Sequence, residues 1–188
     1  TGSGKTSVVN LIPRFYDVTE GRVLVDGVDV REMTQKEVRS RLGYVPQKGV
    51  LFSGTIDSNI RYGKTDISET EVKEAAEVAQ ATEFIDAKPE QYASPIAQGG
   101  TNVSGGQKQR LSIARAIAKN PEIFIFDDSF SALDFKTDST LRKALKEHTK
   151  DATTIIVAQR ISTILNADKI IVLDDGHMAG IGTHGELM

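Results

Sequence analysis

The 188-residue chain carries a net charge of −3 with 39% hydrophobic and 26% charged residues, the balance of a folded globular chain and not of a disordered one. That mildly acidic balance gives nucleic acid no broad basic face, and the absence of cysteine excludes disulfides and thiolate metal sites. The longest apolar runs are strand-sized, far short of the ~20 residues a membrane-spanning helix needs, and no signal peptide is visible.

Residues 5–14 have helical spacing that stops near Pro13, and 22–27 alternate before Asp26-Gly27, a strand running into a turn. A short strand follows at 42–46, then a glycine-punctuated segment to about Tyr62. Ser68-Glu69-Thr70-Glu71 has the spacing of a capping box and opens a helix that runs to about Gln80. Residues 87–104 lack periodicity and read as a loop. From 105 to 119 the pattern is helical, with Leu111, Ala114, Ile117 and Ala118 on one face, and Asn120-Pro121 stops it. Residues 123–126 read as a buried strand, 136–148 as a helix, 154–158 as a strand and 161–166 as a short helix. Strands at 169–173 and 177–181 precede a turn at 182–185. Apolar β-branched runs alternating with helices predict an α/β fold of parallel strands covered on both faces. Its core spans about 1–50 and 121–188, and the helix-rich stretch of about 51–120 forms a separate lobe.

Three segments carry chemistry. Gly2-Ser3-Gly4-Lys5-Thr6 matches the second half of the phosphate-loop pattern G-x-x-x-x-G-K-[ST]. Glycines there let successive N–H groups converge on phosphate oxygens, Lys5 reaches the β and γ phosphates, and Thr6 offers its hydroxyl to Mg²⁺. A glycine-rich turn capping a helix accounts for the same residues. The chain starts inside this pattern, so the first glycine and the preceding strand are expected outside the sequence given, and these residues alone are expected to bind ATP weakly.

The second segment, Ser104-Gly105-Gly106-Gln107, sets a serine and two glycines at a helix start, an anion-ready terminus or a plain capping turn. In the third, the apolar run 123–126 delivers Asp127 and Asp128 at a strand's C-terminal end. Ligands bind there in α/β sheets and a carboxylate can hold Mg²⁺, although solvated acids also end strands commonly.

In this order, the segments resemble the nucleotide-binding domain of ATP-binding cassette (ABC) transporters, a P-loop NTPase fold with a parallel-sheet core and a helical signature subdomain, here without its opening strands. The resemblance covers essentially the whole chain. It assigns Gly2, Ser3, Gly4, Lys5, Thr6 and Ser7 to the Walker A loop and Gln47 to the Q-loop. Ser104, Gly105, Gly106 and Gln107 match the signature, Asp127 the Walker B aspartate, and Ser131, Ala132, Leu133 and Asp134 the D-loop. Tyr44-Val45-Pro46-Gln47 with Leu51, Phe52, Thr55, Ile56, Asn59, Ile60, Tyr62 and Gly63 looks like the exporter branch, whose chains fuse a membrane domain to this cassette.

The resemblance implies that two such domains sandwich two ATP molecules head to tail at the cytoplasmic face of a membrane. Each ATP then lies between the Walker motifs of one domain and the signature of the other. Thr6, Gln47 and Asp127 are the implied Mg²⁺ ligands, Lys5 and Gln159 contact phosphate, and the residue at 128 acts on the attacking water.

This copy departs from the family at three positions. Family members place Glu after the Walker B aspartate; here Asp128 draws the carboxylate back by roughly 1.5 Å, and about 1 Å of misplacement can cost on the order of 100-fold in rate. The switch-loop histidine is replaced by Gln159, which hydrogen-bonds but cannot become a cation. Gln98 stands where exporters commonly carry Glu. With an intact Ser104–Gln107 signature, the pattern points to the degenerate-site half of a heterodimeric exporter. A fully active homodimeric exporter and a soluble cassette ATPase acting on DNA or ribosomes are the alternatives. His148, His177 and His184 are scattered and read as surface or turn residues.

Overall fold

A computed structural model describes residues 2–64 and 66–188; Thr1, which heads the Thr-Gly-Ser-Gly-Lys-Thr run, and Thr65 lie outside the described residues. The chain divides into two compact units, Thr1–Arg41 with Ile156–Met188 and Leu42–Ile155.

The first unit begins with α1 (Lys5–Asn10), shorter than the 5–14 expected. Beyond Asn10 the backbone tightens, with Leu11 and Ile12 bonding Val8 and Val9 three residues back, and Arg14 takes φ 54°. Pro13 explains the early stop, since its ring disfavours helical geometry in the preceding residue. Strands β1 (Leu24–Val25) and β2 (Val28–Asp29) form the expected strand-and-turn as a tight antiparallel hairpin. Asp26 and Gly27 at its tip have φ 50° and 80°, the pair of positive angles a two-residue hairpin turn demands. Helix α2 (Gln35–Ser40) follows, started by a capping box between Thr34 and Glu37. Arg39 on α2 donates to the carbonyls of Pro13 and Arg14, tying it to the segment after α1.

The second unit holds the parallel sheet. In chain order it contains β3 (Leu42–Val45), β4 (Gly54–Thr55), α3 (Ile56–Ile60), α4 (Glu69–Val78), α5 (Thr82–Asp86), β5 (Pro95–Ile96), α6 (Gly105–Ala118), β6 (Ile123–Asp127) and α7 (Phe135–His148). Strand β7 (Thr153–Val157) runs across the unit's end, and the sheet order is β3-β6-β7. Strand β3 lies parallel to β6 in register from Leu42↔Ile123 to Val45↔Phe126. Phe124, Ile125 and Phe126 are all buried, so both faces of β6 are covered, as parallel pairing requires. Helix α6 packs on β3, α3 and α4. Leu111, Ala114, Ile117 and Ala118 are buried as expected, together with Gln109, Ser112, Ile113 and Ala116, so α6 is interior on more than one face. The loop expected at 87–104 contains two short 3₁₀ turns and the two residues of β5, which pair with β4.

A polar staple holds the glycine-punctuated segment. Asn59, 1% exposed, accepts from Phe52 N–H and donates to the carbonyls of Phe52 and Thr55. Arg115 of α6 donates to Asn59 O, Asn59 Oδ1 and Val50 O at 2.8–2.9 Å and lies over the stacked rings of Phe52 and Tyr62. Burial lowers its pKa to about 10, leaving it a cation at neutral pH.

The C-terminal stretch returns to the first unit with a 3₁₀ turn (Ile161–Thr163) where a short helix is expected, then β8 (Ile170–Asp174), β9 (His177–Gly182) and α8 (His184–Leu187). Strand β8 departs from the expected parallel set, because Asp175 and Gly176 (φ 44° and 77°) fold it directly back on β9 as an antiparallel hairpin. Helix α8 occupies part of the expected terminal turn, nucleated by a Thr183–Glu186 capping box.

Candidate functional site

In the first unit, the loop before α1 turns on Gly2 and Gly4, at φ 88° and 89°. Neither glycine is demanded by crowding: a Cβ at Gly2 would meet nothing within 4 Å, and one at Gly4 only Gly176 Cα at 3.9 Å. The left-handed backbone is the requirement, and it turns the amides into a concave run of donors. Lys5 Nζ donates to Ser3 Oγ at 2.7 Å, folding the cation over its own loop. Thr6 and Ser7 lie exposed in the first turn of α1. Gln159 belongs to the same unit, in the exposed segment after β7.

In the second unit, β6 delivers Asp127 as its last, buried residue. The Tyr44 hydroxyl, from the adjacent strand, hydrogen-bonds this carboxylate, and burial with the neighbouring charge pushes its pKa up to about 12. Asp128 then turns to φ 46°, a left-handed angle that aspartate tolerates better than most residues. Three hydroxyl and amide contacts fix this turn. Ser131 donates to Asp128 O from both its N–H (3.4 Å) and its Oγ (2.9 Å), and buried Ser129 Oγ donates to Val45 O at the end of β3 (2.8 Å). The Asp128 carboxylate accepts from Gln47 Nε2 at 3.2 Å. Gln47 and Asp128, both named from sequence, therefore meet. Tyr44 and Ser129, which join them, escape sequence reading, and only the period of β3, two residues per repeat, hints that Tyr44 shares a sheet region with Asp127.

Ser104, Gly105, Gly106 and Gln107, expected to form the signature, begin α6. Ser104 Oγ accepts from Gln107 N–H at 3.2 Å while Gln107 Oε1 accepts from Ser104 N–H at 3.1 Å, a complete capping box. The Gly105 and Gly106 N–H groups, second and third in line, have no intrahelical acceptor at that depth. A Cβ at Gly105 would meet nothing within 4 Å, and at Gly106 only Ala132 O at 3.6 Å and Leu133 Cδ2 at 3.9 Å. Both residues have ordinary helical backbone, where glycine costs up to about 1 kcal/mol against alanine. Among the described residues, nothing asks for glycine at either position.

Residues 131–134, expected to form the D-loop, sit against this turn. Leu133 is buried, Leu133 N–H bonds Phe130 O, and Asp134 caps α7 by accepting from Thr137 N–H at 3.0 Å, which holds its carboxyl below the usual range.

Among the candidate oxygens, the Thr6 hydroxyl, Gln47 amide and Asp127 carboxylate are hard donors of the kind Mg²⁺ selects. The backbone amides of the Gly2–Gly4 turn, ahead of α1, suit a polyphosphate.

Comparison with known proteins adds a family frame. The pattern of the ABC transporter family matches residues 1–131. YgaD of Bacillus subtilis (strain 168), a candidate multidrug export ATP-binding/permease protein, is 48% identical over the whole chain, which covers 32% of that relative. A relative of the same description from Staphylococcus aureus (strain NCTC 8325 / PS 47) is 46% identical with the same coverage. The structure of a bacterial Atm1-family ABC exporter with ATP bound superposes with a TM-score of 0.95 at 43% identity, over all of this chain and 33% of that one. The chain spans about a third of the length of these relatives.

Proposed function

Because this chain belongs to the ABC transporter family as an ATP-binding domain of the exporter type, we propose that it binds and hydrolyses ATP to power export across a membrane. It would do so at the cytoplasmic face, joined to a transmembrane domain and paired with a second ATP-binding domain. The observation that carries the reading is the pair Gly105–Gly106: two helix-start glycines that, among the described residues, no close contact requires to be glycine, lying inside the Ser104–Gln107 capping box where a helix has no internal acceptor for its N–H groups. Such a terminus fits a phosphate brought by a partner, with the helix dipole adding its positive end.

In this proposal the Gly2–Gly4 amides and Lys5 bind the β and γ phosphates, and Ser7 lies in the turn that receives them. Thr6, Gln47 and Asp127 would hold Mg²⁺, whose role is to neutralise charge on the phosphates. The catalysis is mostly positioning and charge stabilisation by donors already in place. Asp128 and Gln159 face the hydrolytic step with weakened chemistry. The shorter carboxylate is set back by roughly 1.5 Å from a glutamate's reach, where about 1 Å of error can cost on the order of 100-fold, and the amide carries no titratable proton. We therefore assign this chain to the weakly hydrolytic half of a heterodimer, its signature completing the competent site on the partner.

The test uses the full-length protein with its partner. Asp128→Glu combined with Gln159→His should raise turnover at this chain's own site, whereas Ser104→Arg should remove most of the existing ATPase activity. Retention of that activity with Ser104 replaced would refute the assignment.

A further inference from the structure

Strand β3 ends at Val45, and the segment after it, Pro46 to Gly49, is fastened to α6. Gln109 of α6, 1% exposed, holds both ends of that segment with one amide. Its Nε2 donates to Pro46 O at 3.1 Å, and its Oε1 accepts from Gly49 N–H at 2.8 Å. The amide is planar, with donor and acceptor side by side, so it satisfies both backbone groups only while they keep one separation. A second contact seals the same place. A Cβ at Gly49 would lie 2.9 Å from both Lys108 O and Ser112 Oγ, so the segment meets the helix at a distance that admits no side chain. Lys108 and Gln109 stand four and three residues before Ser112, on one face of α6.

Between the two held groups lie Gln47 and Lys48, whose side chains are exposed. Resting on the nucleotide-binding reading above, in which Gln47 helps to hold Mg²⁺, we infer that Gln109 is a positioning residue for Gln47. It fixes the backbone on each side of Gln47, so that the Gln47 amide is aimed through its own side-chain torsions alone. Loss of the Gln109 amide would leave the Pro46 carbonyl and the Gly49 N–H unpaired against the helix, a cost the segment escapes by lifting off α6 towards water. Magnesium takes its oxygen ligands at about 2.0–2.1 Å with little tolerance, so a lift of even about 1 Å withdraws Gln47 from the set. Thr6 and Asp127, which stand on other elements, are left in place.

Positioning and packing come apart when affinity is split into metal-dependent and metal-free parts. Calorimetry on the full-length protein gives dissociation constants for a non-hydrolysable ATP analogue, with Mg²⁺ and with the metal chelated. The proteins are wild type, Gln47→Ala, Gln109→Met and the double variant; methionine has about the length of glutamine without its donor or acceptor. Gln109→Met should cut the Mg²⁺ enhancement of affinity about tenfold, the low end of what losing a residue behind a metal ligand costs, and leave metal-free affinity unchanged. In the Gln47→Ala background it should cut the enhancement no further, because Gln109 acts through Gln47. A purely structural role would instead weaken both affinities together and act equally in both backgrounds. Urea unfolding reports whether each variant folds. If Gln109→Met does not unfold cooperatively, Gly49→Ala replaces it with the same expectations, since its methyl lifts the same segment off Lys108 and Ser112. An unchanged enhancement in a folded variant, an equal loss of metal-free affinity, or losses that multiply in the double variant would each overturn the assignment. Wild-type protein that binds no analogue, or binds it no tighter with Mg²⁺, would refute the nucleotide and metal reading itself, a result distinguishable because it needs no variant.

Discussion

Gly106→Ala separates what the fold needs from what a partner's ligand needs. The added methyl would lie 3.6 Å from Ala132 O and 3.9 Å from Leu133 Cδ2, ordinary van der Waals distances that require no shift of either neighbour. The backbone there is helical, so alanine adopts it without strain and removes chain entropy from the unfolded state. Helix propensity sets the gain at about 0.5–1 kcal/mol, the lower part applying because the site is in the first turn. For a chain of this size that corresponds to a rise of about 1–4 °C in Tm, readable by circular dichroism. Activity should move the other way. If a phosphate approaches the Gly106 N–H, a displacement of about 1 Å by the methyl is enough for a loss on the order of 100-fold in the ATPase rate of the assembled protein. A stabilised but inactive variant is the expected outcome. Lower stability would refute the claim that the chain itself has no use for this glycine, and unchanged ATPase would refute the external ligand.

Two further outcomes follow, one from the buried Asn59 packing and one from an ion pair at the end of β2. Asn59→Ala strips the buried partners from Phe52 N–H, the Phe52 and Thr55 carbonyls and one Arg115 nitrogen, and should cost about 2–4 kcal/mol in urea unfolding; a loss under about 1 kcal/mol would show the staple to be incidental. Asp29, hydrogen-bonded by Arg31, has its carboxyl held down at about 2. Its folded pKa lies below the unfolded one, so whatever stability the pair adds is present above about pH 4 and is lost as the pH falls toward 2. A carboxyl NMR titration should find the Asp29 midpoint near that value, and Arg31→Ala should raise it only part of the way to the ordinary value of about 3.9, because the backbone N–H of residue 31 still donates to Asp29; an unmoved midpoint would exclude the side-chain pair as a cause.

Much of the second unit was legible because its signals are local. Ser68 and Glu71 form the capping box their spacing announces, and α6 and β6 end within a residue or so of the expected limits. Asn120 at φ 49° followed by Pro121 is a stop that two residue types impose by themselves. Other signals were present and went unread: Thr34–Glu37 and Thr183–Glu186 are capping boxes of the same kind, ahead of helices too short to develop a period. The Asp175-Gly176 turn also announces the β8–β9 hairpin, though apolar runs there read equally well as parallel strands.

In the site, glycine and charged motifs gave residue identities, whereas contacts depended on pairing across long separations. That Gln47 touches Asp128, or Ser129 reaches Val45, follows from how β3 and β6 align, and no short window of sequence carries that information. Tyr44 beside Asp127 is illegible for the same reason.

That alignment has a temporal consequence. The Gln47–Asp128 pair spans 81 residues of chain, as do all the β3–β6 register pairs. At about 5–20 residues per second of synthesis, β3 leaves the ribosome some 4–16 s before its partner exists. Helices α3 to α6 lie wholly within that interval and close through nearer contacts, so they can organise while Leu42 and Val45 still lack the strand that will cover them. The Asp127–Asp128 end of the sheet is thus a late assembly step, and during the wait an apolar strand edge is open to mispairing with other chains.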